Sequence, residues 1–143
     1  MSTATQSPSG EKVPYHPQRS SGFAIIEQSR EGVSTQRADQ LSQLLEIPLK
    51  EMAAILQVAE RTLHRFRNEG QLDTRTSERL LLLETLTAHG LLVFDGRTDA
   101  LADWLRHPLR ELKGQTPKSL LTTISGFGLV DDVLTRIEYG VYS

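Results

Sequence analysis

The sequence predicts an all-α fold with about seven helices. In successive segments the apolar residues recur at i, i+3, i+4 and i+7, which places them on one face of a helix. No segment shows the alternation of apolar and polar residues that predicts a half-buried strand. We therefore expect an N-terminal helix-turn-helix bundle followed by a small helical domain.

Composition limits the classes of protein that this chain can form. Its 143 residues include no cysteine, so disulfides and thiol chemistry are excluded. No apolar run approaches the roughly 18 residues of a membrane span, and residues 1–22 lack the apolar core of a signal peptide. These features predict a soluble cytoplasmic protein with no membrane partner. The net charge of −2 argues against a generally basic nucleic-acid binder, so any DNA affinity must come from a local patch.

The N-terminal part begins with a polar segment and continues with two short helices. Residues 1–22 are rich in serine, threonine, glycine and proline and show no period, which predicts disorder. A short apolar cluster then predicts a first helix ending at Gly32. Ser34 or Thr35 can cap the second helix, which ends before Pro48.

The segment from Leu49 to Asn68 predicts two short helices joined by a tight turn. At the turn, Gln57 occupies a position where glycine is common and must adopt a left-handed conformation. Gly70 ends the second helix. The predicted buried faces consist of Leu49, Met52, Ala53 and Leu56 in the first helix and Ala59, Thr62, Leu63 and Phe66 in the second.

The outer face of the second helix is the candidate DNA-binding surface, because a helix with a basic outer face can enter a major groove. Arginine can pair with guanine edges or with phosphates. The candidate DNA-binding residues are Glu60, Arg61, His64, Arg65 and Arg67. The alternative is an ordinary helical hairpin whose basic face is solvated.

A longer helix follows, and we expect it to be buried on several sides. Asp73 or Thr74 can cap it, and it is predicted to extend through about Ala88. The run Leu80–Leu83 is apolar all round, as in a central helix. The apolar run Leu91–Phe94 predicts a helical extension, because no clear second strand exists to pair with it.

Three further helices are predicted in the last third of the chain. Thr98 caps the first of these, and Thr116-Pro117 begins a second that runs to Gly126. Gly128 precedes the last helix, which Gly140 ends.

The sequence contains no constellation that predicts catalysis. The four histidines, His16, His64, His89 and His107, are scattered and lack metal-ligand spacing. There is also no glycine-rich phosphate loop and no nucleophile motif. We therefore expect neither enzymatic activity nor a bound cofactor.

Several sequence blocks occur in a set order over roughly residues 50–143. The blocks are Arg61-Thr62-Leu63-His64-Arg65, Gly70-Gln71-Leu72, Ser77-Glu78-Arg79-Leu80, Ala102-Asp103-Trp104-Leu105 with Pro108, Thr116-Pro117 with Leu120-Leu121-Thr122-Thr123 and Gly126, and Arg136-Ile137-Glu138-Tyr139-Gly140-Val141-Tyr142. This ordered set resembles the Xre/MbcA/ParS-type antitoxins. Two positions depart from the family pattern: Leu83 lies in an uninterrupted leucine run where an arginine is often seen, and Lys113 replaces a second glycine before Gly114.

The resemblance implies a type II antitoxin with an Xre-like helix-turn-helix and a C-terminal toxin-binding domain. It further implies a RES-domain toxin as partner, one that consumes NAD or transfers ADP-ribose from it. Members of the family dimerise, and the complex commonly binds operator DNA and represses its own operon. The implied organisation is a disordered segment over residues 1–22, a helix-turn-helix domain over residues 23–89 and a toxin-binding domain over residues 90–143.

In the family, the C-terminal segment covers the active-site cleft of the toxin and blocks NAD. The residues that correspond to this toxin-binding segment are Arg136, Glu138, Tyr139, Gly140, Val141, Tyr142 and Ser143. We expect the negative charges of this tail to compete for the arginines that hold NAD phosphates. The alternative is a free-standing transcriptional regulator whose C-terminal domain only dimerises.

Overall fold

The structure is a computed structural model that describes residues 14–140, and these residues form seven α-helices with two short 3₁₀ turns. Within this range, only two isolated β-bridges occur and no strand forms. The all-α prediction is therefore confirmed. The helices are α1 (Gly22–Glu31), α2 (Thr35–Leu45), α3 (Leu49–Leu56), α4 (Glu60–Glu69), α5 (Thr74–Val93), α6 (Thr98–Leu105) and α7 (Ile124–Glu138).

The helix-turn-helix consists of α3 and α4, and its turn has the predicted backbone conformation. Gln57 is left-handed with φ of 61°, and its side-chain amide donates a hydrogen bond to the Ala54 carbonyl oxygen at 2.7 Å. Gly70 ends α4 in the left-handed region with φ of 86°. Ser34 caps α2 by accepting a hydrogen bond from the Gln36 amide. The caps and turns of this part of the chain follow the sequence pattern closely.

Helix α5 is the central helix of the fold. Its Leu80, Leu81 and Leu83 side chains are almost fully buried, and it packs against α1, α3, α6 and α7. It continues to Val93, so the predicted helical extension over this stretch is confirmed. The domain boundary predicted after residue 89 thus falls inside a continuous helix. None of the helices within residues 14–140 combines the length and apolar character needed to cross a bilayer.

The prediction of disorder over residues 1–22 is wrong for residues 14–22, which lie against the central helix; residues 1–13 lie outside the described range. The Tyr15 hydroxyl donates to the Glu84 carboxylate at 2.7 Å, and the Ser20 amide donates to Thr85 Oγ1 at 3.3 Å. Ser21 caps α1. Burial, followed by the hydrogen bond to Glu84, raises the pKa of Tyr15 far above its usual range. These long-range contacts order a segment whose composition predicted disorder.

Two predicted helix boundaries in the C-terminal part are wrong. Gly126 and Gly128 do not separate two helices, because both lie inside α7, which Thr123 caps through its side chain. The chain from Lys118 to Leu120 forms only a 3₁₀ turn before α7 begins. Gly126 is needed for packing, since an added Cβ would overlap the Leu120 carbonyl oxygen. Helix α6 starts at Thr98 as its first residue, with Arg97 at the cap position.

Candidate functional sites

Helix α4 buries part of the face that the sequence predicted; Thr62 is only half-buried, and the prediction is wrong for Ala59, which is exposed at the cap position. Leu63 and Phe66 are buried, with 1% and 5% of their surface exposed. Glu60 lies in the first turn, where its negative charge is favourable near the positive end of the helix dipole. The other candidate DNA-binding residues, Arg61, His64, Arg65 and Arg67, are all exposed.

The arginines of α4 are held only by exposed contacts. The Nε atom of Arg65 lies 3.8 Å from a Glu69 carboxylate oxygen, and its guanidinium group lies 5.2 Å from the centroid of the Phe66 ring. The Nε atom of Arg67 lies 3.4 Å from an Asp39 carboxylate oxygen. Exposed ion pairs contribute about 0–1 kcal/mol. These side chains can therefore exchange their present partners for phosphates at little cost.

A surface groove extends this candidate DNA interface towards the start of α2. It is lined on one side by His64 and Arg67 of α4 and on the other by Thr35 and Gln36, in the first turn of α2. The Thr35 and Gln36 amides already donate to the Gly70 carbonyl oxygen and to Ser34 Oγ, so any attraction for a phosphate here comes from the α4 cations. The carboxylate of Asp39 lines the same groove and offsets part of that attraction. Sequence reasoning missed the residues of α2, and their only local signal is the Ser34 cap.

The second candidate surface lies at the C-terminal end of α7. Arg136 is exposed, and Tyr139 has 72% of its surface exposed directly after the last helical residue. Gly140 adopts a left-handed conformation with φ of 68°, which allows the chain to turn away from the helix axis. Of the predicted toxin-binding residues, Val141, Tyr142 and Ser143 lie outside the described range.

Glu138 differs from its predicted neighbours, because its carboxylate faces a buried histidine of the same chain. Its Oε1 atom lies 2.8 Å from Nε2 of His89, and the Asp131 Oδ1 atom lies 2.6 Å from Nδ1 of the same ring. Only 1% of the His89 side chain is exposed. We name these three residues the His89 clamp. No group of three side chains suited to a metal ion occurs within residues 14–140.

The sequence contained a partial signal for the His89 clamp that the search for metal spacing missed. Asp131 and Glu138 are seven residues apart, so both lie on one side of α7, two turns from each other. Their partner lies 42 and 49 residues away along the chain, respectively. Only the packing of α5 against α7 brings the three groups together.

A stripe on α7 faces solvent beside the clamp and was also missed. Leu129 has 52% of its surface exposed, and Asp132 and Arg136 are exposed in the next two turns. Tyr139 continues the line at the spacing i, i+3, i+7, i+10, which is one face of a helix. Sequence reasoning identified only the C-terminal half of this stripe, Arg136 and Tyr139. We name these four residues the α7 stripe.

Two family models match the chain, and together they account for most of it. Residues 24–84 match the antitoxin Xre-like helix-turn-helix domain. Residues 89–140 match the C-terminal toxin-binding domain of the Xre/MbcA/ParS antitoxins. The first match includes α3 and α4, and the second includes α6, α7 and the α7 stripe.

Three relatives are similar to this chain. Antitoxin Xre of Photorhabdus laumondii is 33% identical over 75 residues, covering 52% of this chain and 51% of the relative. Antitoxin Xre of Yersinia enterocolitica is 27% identical over 125 residues, covering 87% of this chain and 84% of the relative. The Prs ADP-ribosylating antitoxin of Sphingobium sp. is 34% identical over 84 residues, covering 53% of each chain. The match thus spans about half the length of two of these relatives.

Proposed function

Because the chain belongs to the Xre/MbcA/ParS-type antitoxins, we propose that it binds and neutralises a RES-domain toxin that consumes NAD. The observation that carries the proposal is the match of residues 89–140 to a toxin-binding domain. The name of the Sphingobium relative adds support, since it includes the term ADP-ribosylating. NAD is the usual donor of the ADP-ribose group in that reaction.

The proposed inhibitor is the end of α7 together with the residues that follow it. Tyr139 supplies a large amphipathic side chain that is already exposed, and tyrosine is a frequent interface residue. Gly140 lets the chain turn from the helix axis into a cleft. Arg136 lies one turn before and can pair with acidic groups at the rim of that cleft. The segment occupies the NAD site and performs no chemistry of its own.

We assign a second, regulatory role to α4, which would repress the operon of the antitoxin by binding its operator. Support comes from the match of residues 24–84 to an Xre-like helix-turn-helix and from the exposed cations Arg61, His64, Arg65 and Arg67. The net charge of −2 makes binding by one copy weak. A homodimer doubles the number of phosphate contacts, and it is therefore part of the proposal.

The neutralising role is tested by co-expression with the product of the adjacent gene, which the proposal predicts to be a RES-domain protein. The wild-type chain should restore growth and cellular NAD, and deletion of residues 139–143 should abolish both effects. Deletion of residues 1–13 is the matched control, since it also removes a terminal segment, and it should leave neutralisation intact. Full protection by the chain that lacks residues 139–143 would contradict inhibition by the tail.

Binding experiments with the purified chain and the RES-domain protein distinguish the proposed antitoxin from the alternative, a free-standing transcriptional regulator. It predicts that the purified chain binds its own promoter but forms no complex with the RES-domain protein in size-exclusion chromatography. A complex of the two proteins that loses NAD consumption would exclude this alternative.

A further inference from the structure

We propose that His89 is a positioning residue that fixes the orientation of the toxin-binding end of α7. The inference rests on the proposed function and adds a residue outside the segment that touches the toxin. His89 belongs to the central helix α5, and the other two members of the clamp belong to α7. The clamp thus connects the helix that carries the core to the helix that carries the tail.

The burial of the imidazole makes both of its hydrogen bonds important. A buried ring nitrogen without a partner is costly, and both nitrogens of His89 find one in α7. A carboxylate only accepts hydrogen bonds, so two charged carboxylates are both satisfied only when the ring donates from both nitrogens as imidazolium. Charge-assisted hydrogen bonds of this kind are stronger than neutral ones.

The two bonds fix the rotation as well as the position of α7. Asp131 lies in the middle of the helix and Glu138 is its last residue, so the contacts are two turns apart along the axis. The buried side chains of Val130, Val133 and Leu134 already pack α7 onto the core, and the two polar contacts add directional restraints at two points along its axis. With both in place, a slip of one residue would turn the helix by about 100° and break both bonds.

Glu138 needs such a partner because of its place in the helix. The C-terminal end of a helix carries partial negative charge, and a carboxylate there is unfavourable unless it is paired. His89 supplies that partner from the core side. The last turn of α7 is thereby held in place as far as Glu138. The amide of the next residue, Tyr139, still donates to the Thr135 carbonyl oxygen at 3.1 Å.

The consequence concerns the α7 stripe on the solvent side. Leu129, Asp132, Arg136 and Tyr139 are presented in line only while α7 keeps its rotation on α5. Gly140 then directs the following residues from a fixed starting point. The clamp pre-organises this surface, so the toxin does not have to order it on binding.

The experiment compares His89→Gln with Val133→Ala in the full-length chain. Val133 is buried in the same helix, so its truncation weakens the packing of α7 without touching the clamp. Long-range proton–nitrogen NMR on the wild type should find protons on both ring nitrogens of His89. Hydrogen exchange over residues 135–140 should accelerate more in His89→Gln than in Val133→Ala, once the rates are corrected for the free energy of unfolding of each variant.

Calorimetric titration with the RES-domain protein of the co-expression test then measures the effect on binding. His89→Gln should weaken the complex roughly tenfold, the size expected when charge-assisted hydrogen bonds no longer order the site beforehand. Asp131→Asn keeps a hydrogen-bond acceptor of the same size opposite His89 Nδ1, so it should lose less affinity than His89→Gln. Val133→Ala should bind as the wild type does.

The outcomes separate this inference from the proposed function. If the wild type fails to bind the RES-domain protein, the proposed function is wrong and the inference falls with it. If the wild type binds and His89→Gln binds equally tightly, the function stands and the positioning role is wrong. Equal losses in His89→Gln and Val133→Ala would also overturn it, because they would reduce His89 to a packing residue.

Discussion

Helices α4 and α7 both present an exposed face, but they hold it in different ways. On α4 the buried residues Leu63 and Phe66 fix the helix, and the cations that face solvent make only weak, exposed contacts. On α7 an apolar face is also buried, and the His89 clamp adds two polar contacts to the central helix. We call the part of the chain that contains α4 the front half and the part that contains α7 the back half. The exposed side chains of the front half can change their contacts, whereas the clamp holds the backbone of the back half in place.

The difference matches the two kinds of partner that we propose. Phosphates are spread along DNA, and long cationic side chains can reach them from a helix that is only roughly placed. A toxin cleft has a fixed shape, and a segment that fills it gains affinity when its backbone is already ordered. A perturbation of the helix position should therefore affect the back half more than the front.

The largest effect is expected from Gly126→Ala, which tests whether the back half depends on backbone placement. An added Cβ would overlap the Leu120 carbonyl oxygen, so the start of α7 must shift. Overpacking against backbone should lower the free energy of unfolding by about 3 kcal/mol. Urea denaturation measures this loss, and toxin binding should fall while operator binding is retained.

Gly128→Ala is the control for that substitution. The position lies in the same helix, and an added Cβ would meet no atom within 4 Å. Replacing a helical glycine by alanine should raise the stability by about 0.5–1 kcal/mol. If the two variants were equally stable, the close approach at Gly126 would have no energetic weight and the comparison of the two halves would fail.

The next largest effect is expected from Arg61→Ala, which tests the front half. Removal of a base- or phosphate-contacting arginine should weaken operator binding roughly tenfold at moderate salt. Thermal unfolding should hardly change, because the side chain is exposed. Fluorescence anisotropy across a salt series measures the effect. Arg97→Ala, which removes an exposed arginine of the back half, is the control and should bind the operator as the wild type does. Equal losses of operator affinity in both variants would show that the overall charge of the protein, and not the α4 surface, determines binding.

A smaller effect is expected from Tyr15→Phe, which loosens the N-terminal segment from α5. Loss of the hydrogen bond to Glu84 should cost about 1 kcal/mol at neutral pH. The raised pKa of Tyr15 means that the folded protein holds this proton more tightly than the unfolded chain. Its contribution is therefore fully present below the ordinary value of 10.0 and is lost as the pH rises further. In urea unfolding, the difference in the free energy of unfolding between wild type and Tyr15→Phe should be smaller above pH 10 than at pH 7. An equal difference at both pH values would contradict this linkage.

The smallest effect is expected from Gln57→Gly in the helix-turn-helix turn. Glycine relieves the left-handed backbone, but it also removes the side-chain hydrogen bond to Ala54 and loosens the unfolded chain. These terms oppose each other, so the stability should change by less than about 0.5 kcal/mol. Gln57→Val should cost about 1 kcal/mol, because a β-branched residue is disfavoured at positive φ. Equal stabilities of the two variants in thermal unfolding would show that the turn is not strained.

Local patterns predicted the front half well, because its decisive features are local. The apolar spacing determines which face of α4 is buried, Ser34 and Gly70 mark helix ends, and Gln57 marks the turn. Each of these depends on residues within about one or two helical turns. The exposed positions of Arg61 and Arg65 follow from the same period.

The errors of prediction arose where distant contacts decide the outcome. Composition predicted disorder around Tyr15, yet Glu84 orders it from 69 residues away. Glycine predicted a break at Gly126, but a helix tolerates glycine when its backbone must pass close to another segment.

The sequence by itself determined the helical class, the turn of the helix-turn-helix and the faces of α4, because short-range periods and caps encode them. The tertiary structure alone decided that His89 meets Asp131 and Glu138, and with that the rotation of α7. The physical reason is that hydrogen bonds between helices depend on how α5 and α7 pack. The seven-residue spacing places Asp131 and Glu138 on one side of α7, but it does not identify His89 as their partner.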